Sequence, residues 1–297
     1  MTPSRPLVGA LWMVVTGLLF VCMTAIVKHV GSDIPAAQSA FLRYAMGLPF
    51  LIPMIRPILA ARLTPRQTRL FAGRGLVHTF GVILWFYAMT RIPLAEVTAM
   101  GYMTPVLTTL GAALLLGEGF ALRRLLAIAA AFLGALIVLR PGLREIDTGH
   151  IAMLGNAVCF AASYLIAKKM SGEVSATVIV GMLSITVTIG LAPFAFAVWV
   201  PPGWTDLGWF FLTACFATAG HYTMTFAFAA APVTVTQPVT FLQLLWSTTL
   251  GALVFAEPVD GFVILGGTVI LGAVSYITWR EARLRRVVTA PLPEPRL

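Results

Sequence analysis

The sequence predicts an all-α membrane protein of ten transmembrane helices, built as two inverted five-helix repeats. Three observations carry this: scarce charge, evenly spaced apolar blocks, and a match between the two halves of the chain. Hydrophobic residues make up 59% of the 297 and charged residues only 10%, against roughly 25% charged in a soluble domain. A water-soluble fold of this length would lack polar residues to cover its surface. The surplus apolar side chains need lipid as their solvent. Length alone suggests about two domains, but the apolar blocks follow one another so closely that they read as one membrane domain.

A span takes about 20 mainly apolar residues. Ten segments qualify, in order 7–27, 36–55, 70–90, 93–116, 124–139, 150–167, 178–200, 207–230, 233–255 and 261–279. The first is too long for a cleaved signal peptide and no small-residue cleavage site follows it, so it counts as span 1. The junctions Arg91-Ile92-Pro93 and Ala230-Ala231-Pro232 are very tight. Proline opens the next helix in each, where its missing N–H costs nothing.

A net charge of +9 can point to nucleic acid. Here the basic residues fall in short loops and in the tail Arg280, Arg283, Arg285 and Arg286. That placement fits topology signals and contact with anionic lipid headgroups, so membrane lipids are expected partners and nucleic acid is not. With the N-terminus in the cytoplasm, fourteen Lys and Arg fall inside, while four (Lys28, Arg91, Arg140 and Arg144) fall outside. The bias places both termini in the cytoplasm and requires an even number of spans. Cys22, Cys159 and Cys215 lie in apolar blocks without close pairs, so neither a disulfide framework nor a metal site is expected. No GxxxxGK[ST], HExxH or CxxC pattern occurs, and no cofactor is expected.

Two stretches match at an offset of 139 residues: Tyr87-Ala88 through Pro93 to Gly117-Glu118, and Phe226-Ala227 through Pro232 to Ala256-Glu257. Pro93 aligns with Pro232, Tyr102 with Phe241 and Glu118 with Glu257. A weaker match at offset 140 pairs Gly9, Phe20 and Lys28 with Gly149, Phe160 and Lys168. The units are therefore residues 1–145 with five spans and 146–286 with five more, leaving 287–297 as a disordered cytoplasmic tail. Five is odd, so the second unit enters the membrane upside down. Two similar units of opposite orientation can exchange shapes, giving outward-open and inward-open states of nearly equal energy with a solute site between them. The bland alternative is a duplicated bundle without alternating access.

The tract Phe86-Tyr87-Ala88-Met89, Ile92 to Ala99, Thr104-Pro105-Val106 and Leu114 to Glu118 resembles the EamA repeat of the drug/metabolite transporter superfamily, with residues 226–257 as its second copy. The resemblance covers about residues 7–280. It implies a ten-helix inverted-repeat fold, no ATP hydrolysis, and a cavity lined mainly by spans 3, 4, 8 and 9 with help from spans 1 and 6. The fourth-span motif resembles members that handle S-adenosylmethionine, riboflavin or organic anions. It is less like aromatic amino-acid exporters, whose pattern has an aromatic where Thr104 stands. The expected function is secondary active transport of a small organic metabolite across a bacterial inner membrane by alternating access. The lean is to uptake of a flat vitamin or nucleoside-like solute such as riboflavin or S-adenosylmethionine. Export of amino acids or related metabolites is the alternative. A membrane-embedded lipid-modifying enzyme is a remote one, because the acids sit mostly at span ends. Monomer and homodimer both stay open.

Ionisable groups inside a bilayer are costly and by default functional. Arg43, in span 2, reads either as a fixed positive charge for a solute or as a structural arginine, bonded to carbonyls or paired with Glu96. Arg74 and His78 share one face of span 3. Arg74 can snorkel; His78 lies deeper and can serve a solute, a proton or a neighbouring helix. His221 and Tyr222 pose the same choice in span 8. His29 and His150, at span ends, read as interfacial. Span 4 carries Tyr102 and Thr104 before Pro105, and span 9 carries Gln237, Pro238, Gln243 and Trp246. Pro105 and Pro238 each strip a donor from the helix and read as hinges. The amides read either as solute ligands or as interhelical hydrogen bonds. Trp85 and Tyr164 can stack on a flat solute or simply pack, and Asn156 in span 6 completes the set of expected solute contacts. Glu118 and Glu257 close their helices symmetrically and read as structural, binding a neighbouring loop's backbone or arginine.

Overall fold

A computed structural model describes residues 5–31, 33–115, 122–143, 145–170 and 172–288. In lipid a backbone must satisfy its own polar groups, and these residues fold as helices joined by short turns. Span 1 is Pro6–Val30, with proline at its start and Gly31 beyond its end at φ 70°. Span 2 is less regular than its hydropathy suggests. A helix over Ala36–Gly47 tightens into a 3-10 segment at Leu48–Met54 and ends in Ile55–Ala60. Pro49, Pro53 and Pro57 recur every four residues there, and each removes a donor from the ladder.

Span 3, Pro65–Met89, begins five residues earlier than hydropathy places it. Its start is set by chemistry rather than by apolarity. Thr64 and Gln67 form a capping box, with Gln67 N–H donating to Thr64 Oγ1 at 3.3 Å and Thr64 N–H to Gln67 Oε1 at 2.9 Å. Span 4 is broken into Leu94–Gly101 and Met103–Leu115, and span 9 into Val233–Val239 and Phe241–Phe255. Pro105 leaves the Gly101 carbonyl without its ladder donor, which is where the first break falls. The other spans are Leu122–Leu139, Thr148–Met170, Ala176–Ala197, Trp204–Ala230 and Gly261–Val288. The last helix reaches two residues into the expected tail; positions 289–297 lie outside the described residues, as do Glu118 and its neighbours.

Seven helices among the described residues are long and apolar enough to cross a membrane on length and composition alone, and Leu125–Leu139 and Phe241–Phe255 are shorter apolar helices. Ten spans are reached by adding these two and Trp204–Ala230. Phe241–Phe255 is short because span 9 is broken. Trp204–Ala230 carries five threonines, a histidine and an aspartate, which dilute its hydropathy.

Spans pack in pairs that cross the two halves: 1 on 8, 3 on 6, 5 on 10 and 2 on 7. Swapping the halves turns 1-on-8 into 6-on-3 and 3-on-7 into 8-on-2, and both members of each exchange are present. Span 1 runs antiparallel to span 8, since Gly9 meets Ala231 while Gly220 meets Phe20. At its far end Lys28 donates to the Ile92 carbonyl at 2.9 Å, and His150, at the start of span 6, bonds Glu96 nearby. Span 1 therefore ends where span 6 begins, which is what a second unit inserted the other way up requires.

Spans 5 and 10 touch through glycine. A Cβ on Gly134 would stand 2.7 Å from the Gly266 carbonyl oxygen, and one on Gly266 2.5 Å from that of Gly134. Both obstacles are backbone, so neither can swing aside. Gly266→Leu is expected to cost about 1–3 kcal/mol through overpacking and to lower the thermal unfolding midpoint in detergent. Gly272→Ala, with nothing within 4 Å, leaves it unchanged.

Candidate functional site

Span 2 packs against spans 3, 7 and 8 and carries Arg43 into the seam between the halves. Arg43, Arg74 and His221 lie within electrostatic reach of His78, and Arg43 within that of His221. One ionisable side chain from span 2, two from span 3 and one from span 8 thus share a site. Of the sequence-predicted residues, this brings together Arg43, His78 and His221, with Tyr164 beside Arg74.

Aromatic rings support the two histidines. His78 shares a hydrogen bond between Nδ1 and Ser163 Oγ at 3.1 Å and stacks on Phe160, with centroids 4.4 Å apart and planes at 12°. Phe160 in turn meets Trp85 at 6.4 Å and Tyr164 at 6.2 Å. His221 meets Phe20 edge-on at 5.1 Å. Phe20 and Phe160 are the pair matched at offset 140. Each half therefore offers one phenylalanine to a histidine of the other half. The histidines themselves are not matched: at the 139-residue offset His78 corresponds to Ala217. Phe20, Tyr44, Phe160 and Ser163 were missed as site residues on sequence grounds. The repeat match was the one signal that could have found the two phenylalanines.

The arginines differ in how they are held. Arg74 is buried and donates from Nη1 to the Ile179 carbonyl at 2.9 Å, so it braces span 7 rather than snorkelling. Arg43 lies over the Tyr44 ring at 4.1 Å without such a carbonyl bond; the buried Nε of both arginines has no hydrogen-bond partner. The expected alternative for Arg43, pairing with Glu96, is not what forms. Glu96 and His150 are both buried and bond each other, because Glu96 sits in the first turn of span 4 beside the start of span 6. The same contact corrects His150, which is buried rather than interfacial.

Other expected solute contacts are committed elsewhere. Tyr102 donates from its hydroxyl to the Thr240 carbonyl at 2.9 Å, joining the breaks of spans 4 and 9. Asn156 donates from Nδ2 to the Gly81 carbonyl at 2.9 Å and is buried. Trp246 and Gln243 face span 1 at Gly17, whose Cβ would stand 2.9 Å from Trp246 Cζ3 and 3.6 Å from Gln243 Cβ. Tyr222 meets Phe226 at 4.8 Å, and Phe226 meets Trp12 at 5.2 Å. Pro105 and Pro238 flank the two breaks. The side chain of Gln237 lies outside the described residues.

One end of the molecule, the face that holds Lys28, is pinned across the halves. Lys28 pairs with Glu257, whose Oε2 also accepts the Leu94 N–H at 2.9 Å. Arg140 pairs with Asp260. Gln38 donates to the Val200 carbonyl at 2.6 Å and accepts its N–H at 2.8 Å. Between spans 1, 2 and 3 this end holds a cavity of about 320 Å³ bordered by Ile34, Phe86 and Arg91. At the other end Arg66 donates to both oxygens of Glu173 at 2.9 Å. That bond, with one from Gln67, holds the Glu173 carboxyl below its usual pKa.

Two matched halves of long apolar helices that cross-pack around a polar seam describe a multi-pass membrane protein. The chain belongs to the EamA-like transporter family, which matches residues 7–140 and 147–279, one stretch per repeat. It is 32% identical over 290 residues to a riboflavin transporter of Rhizobium johnstonii, covering 96% of this chain and 95% of that one. It is 23% identical over 259 residues to an S-adenosylmethionine uptake transporter of Rickettsia prowazekii, covering 86% and 87%. A solved crystal structure with 17% identity shares the fold at a TM-score of 0.59, over 93% of this chain and 98% of that one. The family places the protein in the drug/metabolite transporter superfamily, as the motif in span 4 implied.

Glu257 closes its helix structurally, by an amide and a lysine. Glu257→Ala strands Lys28 and the Leu94 amide in a partly buried place, at an expected cost of about 3 kcal/mol in unfolding free energy. The double variant Lys28→Met with Glu257→Gln recovers part of it in a double-mutant cycle. Asn156→Ala is expected to cost about 1 kcal/mol of stability and to leave solute affinity unchanged, as measured by titration of the purified protein.

Proposed function

We propose that the protein carries a flat organic metabolite into the cell across the inner membrane by alternating access, as a secondary transporter with both termini in the cytoplasm. The observation that carries this reading is the seam cluster itself. His78 on Phe160 and His221 on Phe20 are contributed reciprocally by the two halves, beside Arg43. A pair of aromatic walls with polar edges suits a planar heterocycle. The similarity to the Rhizobium riboflavin transporter supports a flavin-like solute for this chain.

The orientation reading puts Lys28 at the periplasmic end. Every pin at that end joins one half to the other, so the pins must part for a solute to enter from outside. At the cytoplasmic end the Arg66–Glu173 contact also joins the halves, but it is exposed and correspondingly weak. Opening at one end while the other closes is the exchange that two units of opposite orientation permit.

Riboflavin flux into proteoliposomes containing only this protein tests the reading. His78→Ala and His221→Ala are each expected to cut initial uptake about tenfold, the scale of one lost hydrogen bond or ring contact, without loss of membrane insertion. Wild-type uptake in both variants would contradict the site. An absence of flux for any flat metabolite would contradict the function.

A further inference from the structure

The fixed charges of the seam are of one sign, the guanidiniums of Arg43 and Arg74. Its titratable residues are Arg43, Arg74, His78 and His221, together with the phenols of Tyr44 and Tyr164. Among the described residues carboxylates stand at helix ends and in the loops between spans, with Glu96 bonded to His150 and Glu257 to Lys28. A guanidinium held in the membrane without a carboxylate is costly. Arg74 offsets part of that cost on the Ile179 carbonyl. Arg43 has the face of Tyr44 and no carbonyl bond of that kind, and the buried Nε of each of the two arginines meets no acceptor. An N–H donor left unmet in a buried place costs free energy until an acceptor arrives. Arginine's planar fork is matched by a carbonyl pair, a carboxylate or a phosphate.

Resting on the carrier reading above, we propose that the seam selects its solute by charge and by acceptor edge. The solute is a planar ring, neutral or anionic, whose hydrogen-bond acceptors meet Arg43 beside the His78–Phe160 stack and the His221–Phe20 pair. Cations are excluded. A cationic solute would be brought beside two guanidiniums in a low-dielectric site with no carboxylate to offset the repulsion. This separates the two kinds of solute named for the relatives above. Riboflavin is neutral and presents carbonyls along one ring edge. S-adenosylmethionine carries a sulfonium and an ammonium against a single carboxylate and is net positive. The bond to the Ile179 carbonyl gives Arg74 a different part from Arg43: Arg74 holds span 7, and Arg43 meets the solute.

The test is competition for riboflavin uptake in proteoliposomes, with Arg43 variants as a second arm. Unlabelled riboflavin and flavin mononucleotide are expected to compete, and S-adenosylmethionine at about hundredfold excess is not. Arg43→Gln is expected to raise KM about tenfold, the scale of a lost charge-assisted hydrogen bond. Arg43→Lys, which keeps the charge but not the planar fork, falls between. Competition by S-adenosylmethionine equal to that of riboflavin overturns the proposal and leaves carriage itself intact. So does a wild-type KM in Arg43→Gln. Absence of flux for riboflavin, flavin mononucleotide and S-adenosylmethionine in the wild-type protein overturns the carrier reading and this one with it.

Discussion

A helix broken inside a bilayer must find its missing hydrogen-bond partners within the protein, because lipid offers none. Spans 4 and 9 are both broken, at Tyr102 and Thr240, and they satisfy part of that demand in each other. The Tyr102 hydroxyl donates to the Thr240 carbonyl. At the start of span 4, the Glu257 carboxylate beyond span 9 accepts the Leu94 N–H, an orphan donor of a helix N-terminus. Two contacts thus bind the fourth span of one repeat to the ninth span of the other. Spans 4 and 9 pack on each other, span 4 also on spans 5, 6 and 10, and span 9 on spans 1 and 10.

The pins also limit how stable any one state can be. Lys28–Glu257, Arg140–Asp260 and Glu96–His150 are all partly or wholly buried, yet a buried ion pair returns little net stability over its desolvation cost. Such contacts specify an arrangement more than they deepen it. For a carrier this is useful, since two states must stay within a few kcal/mol of each other for a solute to move the balance. Glycine seams such as Gly134 against Gly266 do the opposite. Their close backbone contact fixes spans 5 and 10 against each other.

Much of this was legible in the sequence, and what was not has a physical reason. Charge scarcity and the 139-residue repeat were enough for the spans and their pairing into two units. Pro105 and Pro238 announced the breaks. Glu257 was readable as structural from its repeat position, and it does bind a backbone amide. The polar residues within the spans were harder. Asn156, Tyr102 and Arg43 look alike in a one-dimensional string, each a costly group in apolar surroundings. Only geometry shows that Asn156 and Tyr102 bond backbone carbonyls while Arg43 Nε bonds nothing. Glu96 went to His150 rather than to Arg43 because depth, which sequence gives only to within a turn, decides such pairings. Phe20 and Phe160 were hidden among ordinary apolar residues. Span 8 was diluted below a span's usual hydropathy by the very polar residues that bring His221 to the seam.

The central claim is that the two halves exchange shape about the seam, opening one end as the other closes. It is tested most directly by spin-label distances in a background freed of its three cysteines, with one label pair across each end. Asp33 and Val259 are exposed and lie on opposite halves at the end that holds Lys28; Arg62 and Gly172 do so at the end that holds Arg66. The account predicts two distances for each pair, with solute shifting the populations at the two ends in opposite directions. A single distance at both ends, unchanged by saturating solute that is demonstrably transported, would contradict it.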